Sequence, residues 1–316
     1  MNNEFYEFMR RVEDHILNSL PEGAWQIKEC DVRKNNALLH GVSVIKEGDT
    51  AGPVVFMEEC FEEYKNGAGF ENICERIMKS LEAAEARISA RPIDPGSILR
   101  HDAEKFIMQL VDTGKNREFL KDVPHREFMN LSVVYRLDIP EAESTVLVTN
   151  ELAKKLELTE KELFERAQEY VPKKYPLKVE SIGSVLDGAF SGSVNGEDID
   201  EQVTMVIVSY GRNFYGASVL MNEAALKQAG EMIGGDFYIL PASVHEVIAT
   251  PASGADEKYL LDMVRMINRT ELDKTDVLSD SIYRYDREKE KLEVIEAEPE
   301  RGADRKNREN LTEYTM

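Results

Sequence analysis

The spacing of apolar positions predicts a helix, three strands and two further helices at the start of the chain. Phe8, Val12 and Ile16 recur at helical spacing, which is typical of an amphipathic helix with one buried face. Residues 25–32 and 37–45 then indicate two strands around a polar turn that contains Asn35 and Asn36, where an asparagine can accept a positive φ. A short apolar strand at 53–57 follows, and helical spacing returns over 58–88. The predicted order is therefore α-β-β-β-α-α.

The middle of the chain begins at a clear break. Residues 91–96 contain two prolines and a glycine, which cannot continue the preceding helix. Apolar runs then predict a strand at 106–111, a short helix at 116–121, one strand at 128–137 and a strand that ends before Asn150. Two helices follow, and we expect Asn150 to cap the first. Thr159 and Glu162 have the spacing of a capping box, which places the start of the second helix.

The remaining pattern predicts a second set of strands and helices, which ends in a hairpin. Asn222 is the expected cap of its first helix. The region 183–201 is rich in glycine and serine, which predicts a mobile loop or a long hairpin connection. Residues 297–316 are highly charged without apolar periodicity, which predicts a disordered tail. The predicted elements are strands at 203–210 and 215–221, a helix at 222–233, strands at 236–240 and 244–249, a helix at 256–267, and a hairpin turned at 286–290.

These elements together predict an α+β fold with mixed, largely antiparallel sheets flanked by helices. We expect two or three subdomains and a charged C-terminal tail. The predicted boundaries are 1–95 for an N-terminal α-β-β-β-α unit, 96–180 for a central α/β segment, 181–296 for a C-terminal mixed-sheet unit and 297–316 for the tail.

Composition restricts the partners and the compartment. The chain has 316 residues and a net charge of −21, with 60 acidic and 39 basic side chains, so the whole surface does not favour nucleic acid or anionic lipid. Cys30, Cys60 and Cys74 are too few for a disulfide framework, which indicates a reducing compartment. The N-terminus lacks the pattern of a signal peptide, and the longest apolar stretch is broken by a polar turn. We therefore predict a cytoplasmic protein without membrane spans.

The strongest candidate for chemistry is the set Asp122, His125 and Glu127. A histidine beside carboxylates can act as a general base or a metal ligand near neutral pH. His125 and Glu127 would lie on the same side of a strand, whereas Arg126 would face away. The alternative is structural: the carboxylates pair with Arg126 or cap the turn, and His125 binds a backbone carbonyl.

Two other motifs are incomplete. The sequence Asp112-Thr113-Gly114 resembles an aspartic-protease fingerprint, but no second copy exists and Lys115 replaces the expected small residue. We interpret it as a turn. The dipeptide His101-Asp102 occurs in metal-dependent phosphohydrolases, which require further metal-binding histidines and aspartates on neighbouring helices. The chain lacks a matching helical set, so neither motif predicts a reaction.

Two further groups give no cofactor prediction. Cys60 stands near a helix start, where a thiolate can be stabilised, but Glu58 and Glu59 oppose that effect. The aspartates of the 183–201 region could collect a cation, yet they lack the spacing of a calcium loop. We therefore predict no cofactor and no metal. The aspartates in question are Asp187, Asp198 and Asp200.

The chain contains six motifs of interest: KNN at 34–36, GKNREFL at 114–120, KDVPHREFMNL at 121–131, VLVTNELAKKLELTEKELFERA at 146–167, GGDFYILPASVHEVI at 234–248 and SDSIYRYDREKEKLEV at 279–294. Together they resemble an uncharacterised family of gut Firmicutes, catalogued as domain of unknown function 5688. The resemblance covers nearly the whole chain up to the tail. It implies a bacterial cytoplasmic protein and supports the fold, but it implies no activity, cofactor, partner or catalytic residue.

The preferred hypothesis is a non-enzymatic binding or interaction protein with an unknown protein partner or small ligand. The reason is that none of the catalytic, metal or nucleotide patterns is complete. The alternative is a hydrolase, with or without metal assistance, that uses His125 with Asp122 and Glu127. The sequence therefore leaves open whether the protein is an enzyme. Nucleic-acid binding would require a basic patch assembled in three dimensions from Arg33, Lys34, Lys173 and Lys174.

Overall fold

The computed structural model describes residues 3–20, 25–49, 52–90, 105–140, 144–183, 205–211 and 214–296. It contains helices and mostly antiparallel sheets, so the predicted α+β class is confirmed. Among the described residues, no helix combines the length and apolar character that crossing a bilayer requires. The helices are α1 (Asn3–Ser19), α2 (Met57–Lys65), α3 (Phe70–Ala90), α4 (Arg117–Leu120), α5 (Asn150–Lys155), α6 (Glu160–Lys174), α7 (Glu223–Ile233) and α8 (Glu257–Thr270).

The strands form three sheets within the described part of the chain. Their orders are β1-β2-β3, then β4-β6-β5 with β7 beside β6, and β13-β12-β10-β11-β9-β8. The strands are β1 (Trp25–Lys34), β2 (Ala37–Lys46), β3 (Val54–Phe56), β4 (Phe106–Asp112), β5 (His125–Phe128), β6 (Leu131–Ile139), β7 (Ser144–Leu147), β8 (Leu177–Ser181), β9 (Val206–Tyr210), β10 (Phe237–Pro241), β11 (Val247–Pro251), β12 (Ile282–Asp286) and β13 (Lys291–Ile295).

The chain divides into two compact units that do not follow chain order. The three-part division predicted along the sequence therefore stays a prediction, and the predicted tail and most of the 183–201 region lie outside the described residues. The first unit contains Met1–Ile107, Lys115–His125 and Val134–Tyr170. The second unit contains Met108–Gly114, Arg126–Val133 and Val171–Met316.

The first unit is built around the predicted α-β-β-β-α-α order, which is confirmed. One face of α1 buries Phe5, Phe8, Val12 and Ile16 at the predicted helical spacing. These side chains join one apolar cluster with residues of β2, α2 and α3, including Val42. Burial of such side chains removes apolar area from water and is the main stabilising term for this unit.

In the second unit, α8 packs on the six-stranded sheet. Its inward residues Leu260, Leu261 and Val264 cluster with Tyr238 of β10 and Ile282 of β12. The last hairpin is confirmed, with β12 and β13 paired antiparallel around a turn at 286–290. The inward face of α8 is therefore used by the fold, and its opposite face is left to other contacts.

The strand predicted at 215–221 is wrong, because residues Gly216–Met221 form a 3₁₀ helix. A Cβ at Gly216 would lie 2.4 Å from the carbonyl oxygen of His245, so only glycine fits this close approach. Tyr215, just before it, has a φ of 56°, which an extended strand cannot contain. A contact with a distant residue therefore overrides the apolar strand-like pattern.

Two other strand predictions need correction. The single strand predicted at 128–137 is two strands, β5 and β6, because the chain turns at Met129 and Asn130. Met129 has a φ of 58°, which is uncommon for this residue type and gave no sequence signal. The strand predicted at 244–249 begins later, at Val247, since residues before it bond with a loop rather than with a strand.

Two of the predicted helix caps are confirmed and one is wrong. The Asn222 side chain accepts hydrogen bonds from the N–H groups of residues 224 and 225, as predicted. Thr159 and Glu162 form the reciprocal capping box, also as predicted. The prediction for Asn150 is wrong: the Thr149 side chain accepts from the Leu152 N–H and caps α5. The Asn150 amide instead donates to the carbonyl of residue 121.

Candidate functional site

The predicted histidine His125 is exposed at the start of β5. Its Nδ1 lies 3.0 Å from the carbonyl oxygen of Val123. Because a carbonyl only accepts, this contact places the proton of the neutral ring on Nδ1 and leaves Nε2 as its basic nitrogen. The ring is therefore oriented by its own turn.

The predicted carboxylates lie near this histidine in sequence but make separate contacts. Asp122 is exposed, with its Oδ2 3.9 Å from the Nε of Arg33. Glu127 is exposed on β5, in the alternation expected for a strand. Within the described residues, no hydrogen bond or ion pair joins the His125 ring to either carboxylate. The hydrolase assignment therefore stays a prediction from the sequence.

The residues of the Asp112-Thr113-Gly114 motif end β4 in the second unit. The Thr113 hydroxyl lies 2.8 Å from the Ser132 hydroxyl, and the Thr113 N–H donates to the carbonyl of Asn130. These bonds fix the end of the strand. The motif therefore has a structural use here.

Three asparagines of the first unit, which the search for catalytic patterns missed, form a buried cluster. Asn116 is 2% exposed, and its amide nitrogen lies 3.0 Å from Asn35 Oδ1 and 2.9 Å from Asn36 Oδ1. Its own oxygen accepts the Asn36 N–H at 2.7 Å. The KNN and GKNREFL motifs thus meet in space, and the amide of Asn116 holds the turn in which Asn36 has a φ of 57°.

A second buried polar network lies in the second unit and joins two other motifs. The Asn130 amide donates to the hydroxyl oxygens of Ser279 and Ser281, and its oxygen accepts from the Tyr283 hydroxyl at 3.0 Å. Burial is the largest cause that raises the pKa of Tyr283, so this phenol stays neutral and acts as a donor. The polar side chains of these two motifs are therefore hydrogen-bonded to one another inside the second unit.

His40 is a buried histidine between two carboxylates, and sequence reasoning placed it only on a strand. It is 6% exposed, and Glu58 Oε1 accepts from its backbone N–H at 2.7 Å and lies 2.9 Å from its Nδ1. Its Nε2 lies 3.7 Å from Asp31 Oδ1. Phe5 packs edge-on against the ring. The arrangement fixes the start of α2 against β2 and excludes water from the imidazole.

His245 of the second unit also has both ring nitrogens in use. Its Nδ1 accepts the Tyr215 N–H at 3.1 Å, and its Nε2 lies 3.4 Å from Asp276 Oδ1. The neutral ring therefore carries its proton on Nε2. Phe214 packs against the same ring, so His245 orients the segment before the 3₁₀ helix. The signal for this residue was its place in the motif at 234–248.

The three cysteines are thiols without disulfide bonds. Burial raises the pKa of Cys30 and Cys60, and it raises the pKa of Cys74 to about 11. A nucleophilic cysteine requires a lowered pKa, because the thiolate is the reactive form. This environment therefore favours the unreactive thiol at all three positions.

No group of three or more histidine, cysteine, aspartate or glutamate side chains that could hold a metal ion occurs in the part of the chain that the structure describes. The dipeptide at 101–102 and the aspartates at 187, 198 and 200 lie outside that part. The metal-assisted form of the hydrolase hypothesis therefore gains no ligand set from the described residues.

The outward face of α8 is an exposed apolar surface that the sequence analysis did not identify. Asp256 caps this helix by accepting from the N–H groups of residues 258 and 259. On the side away from the sheet, Tyr259 is 66% exposed, Met266 is 58% exposed and Ile267 is 37% exposed. Met263, between Tyr259 and Met266 along the helix, is half-buried and packs against the edge of the inward cluster. We call Tyr259, Met263 and Met266, at positions i, i+4 and i+7, the α8 stripe.

The sequence of α8 indicates a surplus of apolar residues but does not show which of them face outward. The helix has apolar residues on the inward face at 260, 261 and 264, and also at 259, 263 and 266, which is more than one buried face requires. Large apolar side chains that share an exposed face are typical of contact surfaces. The stripe is therefore the candidate functional site that the geometry adds.

Comparison with protein families shows which family the chain belongs to. A model described as a family of unknown function (DUF5688) matches residues 5–287. Comparisons with curated proteins and with solved structures gave no match. The match spans the motifs at 34–36, 114–131, 146–167 and 234–248, and most of the motif at 279–294. The chain therefore belongs to the family of unknown function DUF5688.

Proposed function

We propose that this protein is a non-enzymatic interaction protein that contacts a protein partner through the α8 stripe. The observation that carries the proposal is that Tyr259 and Met266 are exposed, with the half-buried Met263 between them, on a helix whose other face is packed. Methionine is flexible and polarisable and tyrosine offers a large rigid surface, so both are common at protein contacts. A helix fixed to a sheet presents such a row without a large ordering cost.

The uses of the polar motif residues support the non-enzymatic part of the proposal. Asn116 and Asn130 are bonded inside their own units, and His245 has both ring nitrogens engaged. His125 is oriented by a backbone carbonyl and joined to neither predicted carboxylate among the described residues. A catalytic site needs side chains that converge on a reacting atom. These contacts instead hold turns and strand ends in place.

Affinity co-purification tests the proposal. The wild type, Met266→Glu and Leu17→Glu carry the same tag and are recovered from cells of the source organism. Leu17 is a matched control because it is 50% exposed on another helix, α1. We expect a protein that co-purifies at equal yield with the wild type and Leu17→Glu and at least about tenfold less with Met266→Glu, since a buried charge disrupts an apolar contact.

Two results would overturn the proposal. One is that every co-purifying protein is retained by Met266→Glu. The other is that the purified wild type hydrolyses a substrate in a broad esterase and phosphatase panel and that an active-site substitution removes that activity. Circular dichroism of each variant confirms that lost binding does not reflect unfolding.

A further inference from the structure

One edge of the α8 stripe is lined with cations. Lys258, Arg265 and Arg269 are separated by seven and four residues, so they lie in one row along the helix beside Tyr259 and Met266. Within the described residues, their side chains have no hydrogen bond or ion pair. We call these three residues the α8 basic row.

This row gives one edge of α8 a charge opposite in sign to the net charge of the chain, which is −21. Some lysines outside α8 pair with neighbouring carboxylates, as Lys65 does with Glu62 and Lys121 with Glu118, both at 2.6 Å. Others, such as Lys79 and Lys155, resemble the row in having no ion pair among the described residues. Asp262 also lies in the row but forms no ion pair with it, so this edge keeps a local excess of two positive charges. Uncommitted cations beside an exposed apolar stripe favour a partner that presents carboxylates beside an apolar face.

We infer that the α8 stripe and the α8 basic row together bind an acidic amphipathic helix of a partner protein. This inference rests on the proposed function and adds the chemistry of the partner. The apolar face of the partner would cover Tyr259, Met263 and Met266, while its carboxylates would pair with the row.

Other occupants fit these charges less well. A second copy related by a two-fold axis perpendicular to α8 would pair the helices antiparallel and place the two basic rows on the same side, where they repel. An anionic membrane or a nucleic acid would meet the basic row, but the whole chain carries a large negative charge that repels such surfaces. A single acidic helix brings no second basic row, and it meets less of the acidic surface than a membrane or a nucleic acid does because it contacts only the local basic edge.

Fluorescence anisotropy with two designed peptides tests the inference. Each peptide has three heptads with leucine at positions a and d, and the e and g positions are all glutamate in one peptide and all lysine in the other. Like charges at these positions keep each peptide from pairing with itself. We expect the full-length protein to bind the glutamate peptide about tenfold or more tightly than the lysine peptide, because three exposed ion pairs each add a modest amount.

Charge reversal locates the contact. Arg265→Glu combined with Arg269→Glu should weaken binding of the glutamate peptide about tenfold, and added salt should reduce the wild-type affinity. The control combines Lys79→Glu with Lys155→Glu, which changes the net charge equally at exposed lysines outside α8. Replacing all three residues of the row with glutamine provides a milder test, since it removes the charge and keeps long polar side chains if the reversal disturbs folding.

The outcomes separate this inference from the proposed function. Equal affinity for both peptides, preference for the lysine peptide, or no binding of either peptide would overturn the acidic partner. Binding to vesicles of phosphatidylserine and phosphatidylcholine that Met266→Glu abolishes would also overturn it, in favour of a membrane. In each case, a protein whose co-purification depends on Met266 would still support the proposed function. If no such protein co-purifies, both the proposed function and the acidic-partner inference are wrong.

Discussion

At the scale of residues, the polar side chains that invite a chemical interpretation are mostly engaged in holding the backbone. Asn116 illustrates this use, because one buried amide bonds two residues of a turn that lies 80 positions away in sequence. A buried polar group costs free energy unless it is paired, so such clusters require complete hydrogen bonding. The sequence could predict the turn at Asn35 and Asn36 but could not predict its distant partner.

The asparagine cluster gives a stability prediction. Asn116→Ala should lower the free energy of unfolding by about 2–4 kcal/mol. The substitution removes three hydrogen bonds, and the polar groups of Asn35 and Asn36 lose these partners. Urea denaturation measures the change. The control is Asn72→Ala on the exposed face of α3, which should stay within about 0.5 kcal/mol. A value for Asn116→Ala within that same range would contradict the structural role.

A pair of carboxyl groups gives a pH prediction. The pKa of Glu13 is raised above its usual 4.5 by burial first and then by the nearby charge of Glu29. Its Oε1 is buried without a hydrogen-bond partner among the described residues, which favours the neutral, protonated form of this carboxyl. Because the native state binds this proton more tightly, stability should fall as the pH rises from 4.5 through the raised pKa.

Glu13→Gln should therefore raise the melting temperature at pH 7, since the amide carries no charge. The gain should fade as the pH falls below 4.5, where the wild-type carboxyl is protonated in both the folded and the unfolded state. Thermal unfolding across this pH range measures both effects. Glu7→Gln, on the exposed part of the same helix, serves as the control. A constant difference at every pH would contradict the account.

His125 gives a prediction about activity. We expect His125→Ala to change the free energy of unfolding by about 0.5 kcal/mol or less, because the ring is exposed and has one hydrogen bond. We also expect the wild type and the variant to behave alike in a panel of esterase and phosphatase substrates. Turnover by the wild type that His125→Ala removes would support the hydrolase hypothesis, and parallel losses in Asp122→Asn and Glu127→Gln would strengthen it.

At the scale of elements, the sequence predicted the hairpins and caps that are determined by residues close together in the chain. The hairpin of β1 and β2 follows from strand periodicity and an asparagine turn, and the capping box of α6 follows from Thr159 and Glu162. The 3₁₀ helix Gly216–Met221 could not be predicted in this way, because its apolar residues suit a strand equally well. Its conformation depends on the close approach of Gly216 to the backbone of His245.

Glycine substitutions test this tertiary constraint. Gly216→Ala should destabilise the protein by roughly 2–4 kcal/mol, since the new Cβ would lie 2.4 Å from the His245 carbonyl oxygen and force the backbone to move. Gly235→Ala is a matched control in the same unit, because a Cβ there meets nothing within 4 Å. Chemical denaturation of both variants gives the comparison. Equal stability of the two would show that the close approach does not constrain the fold.

At the scale of the whole molecule, the fold class was accessible from the sequence and the candidate surface was not. Helical and strand periods defined an α+β protein, and a match over residues 5–287 places it in the family of unknown function DUF5688. The α8 stripe is visible only when the inward face is known, because Tyr259 and Met266 alone are ordinary helix residues. Function therefore has to be inferred from what packing leaves exposed.

The most direct test of the central claim is photo-crosslinking from the α8 stripe in cells of the source organism. A photoreactive amino acid replaces Met266 in one version of the protein and Leu17 in the other, since both side chains are exposed on helices. We predict a defined adduct with another protein from position 266 and none from position 17, with the acidic segment of that partner at the crosslink. The same adducts from both positions, or no protein adduct from position 266, would contradict the account.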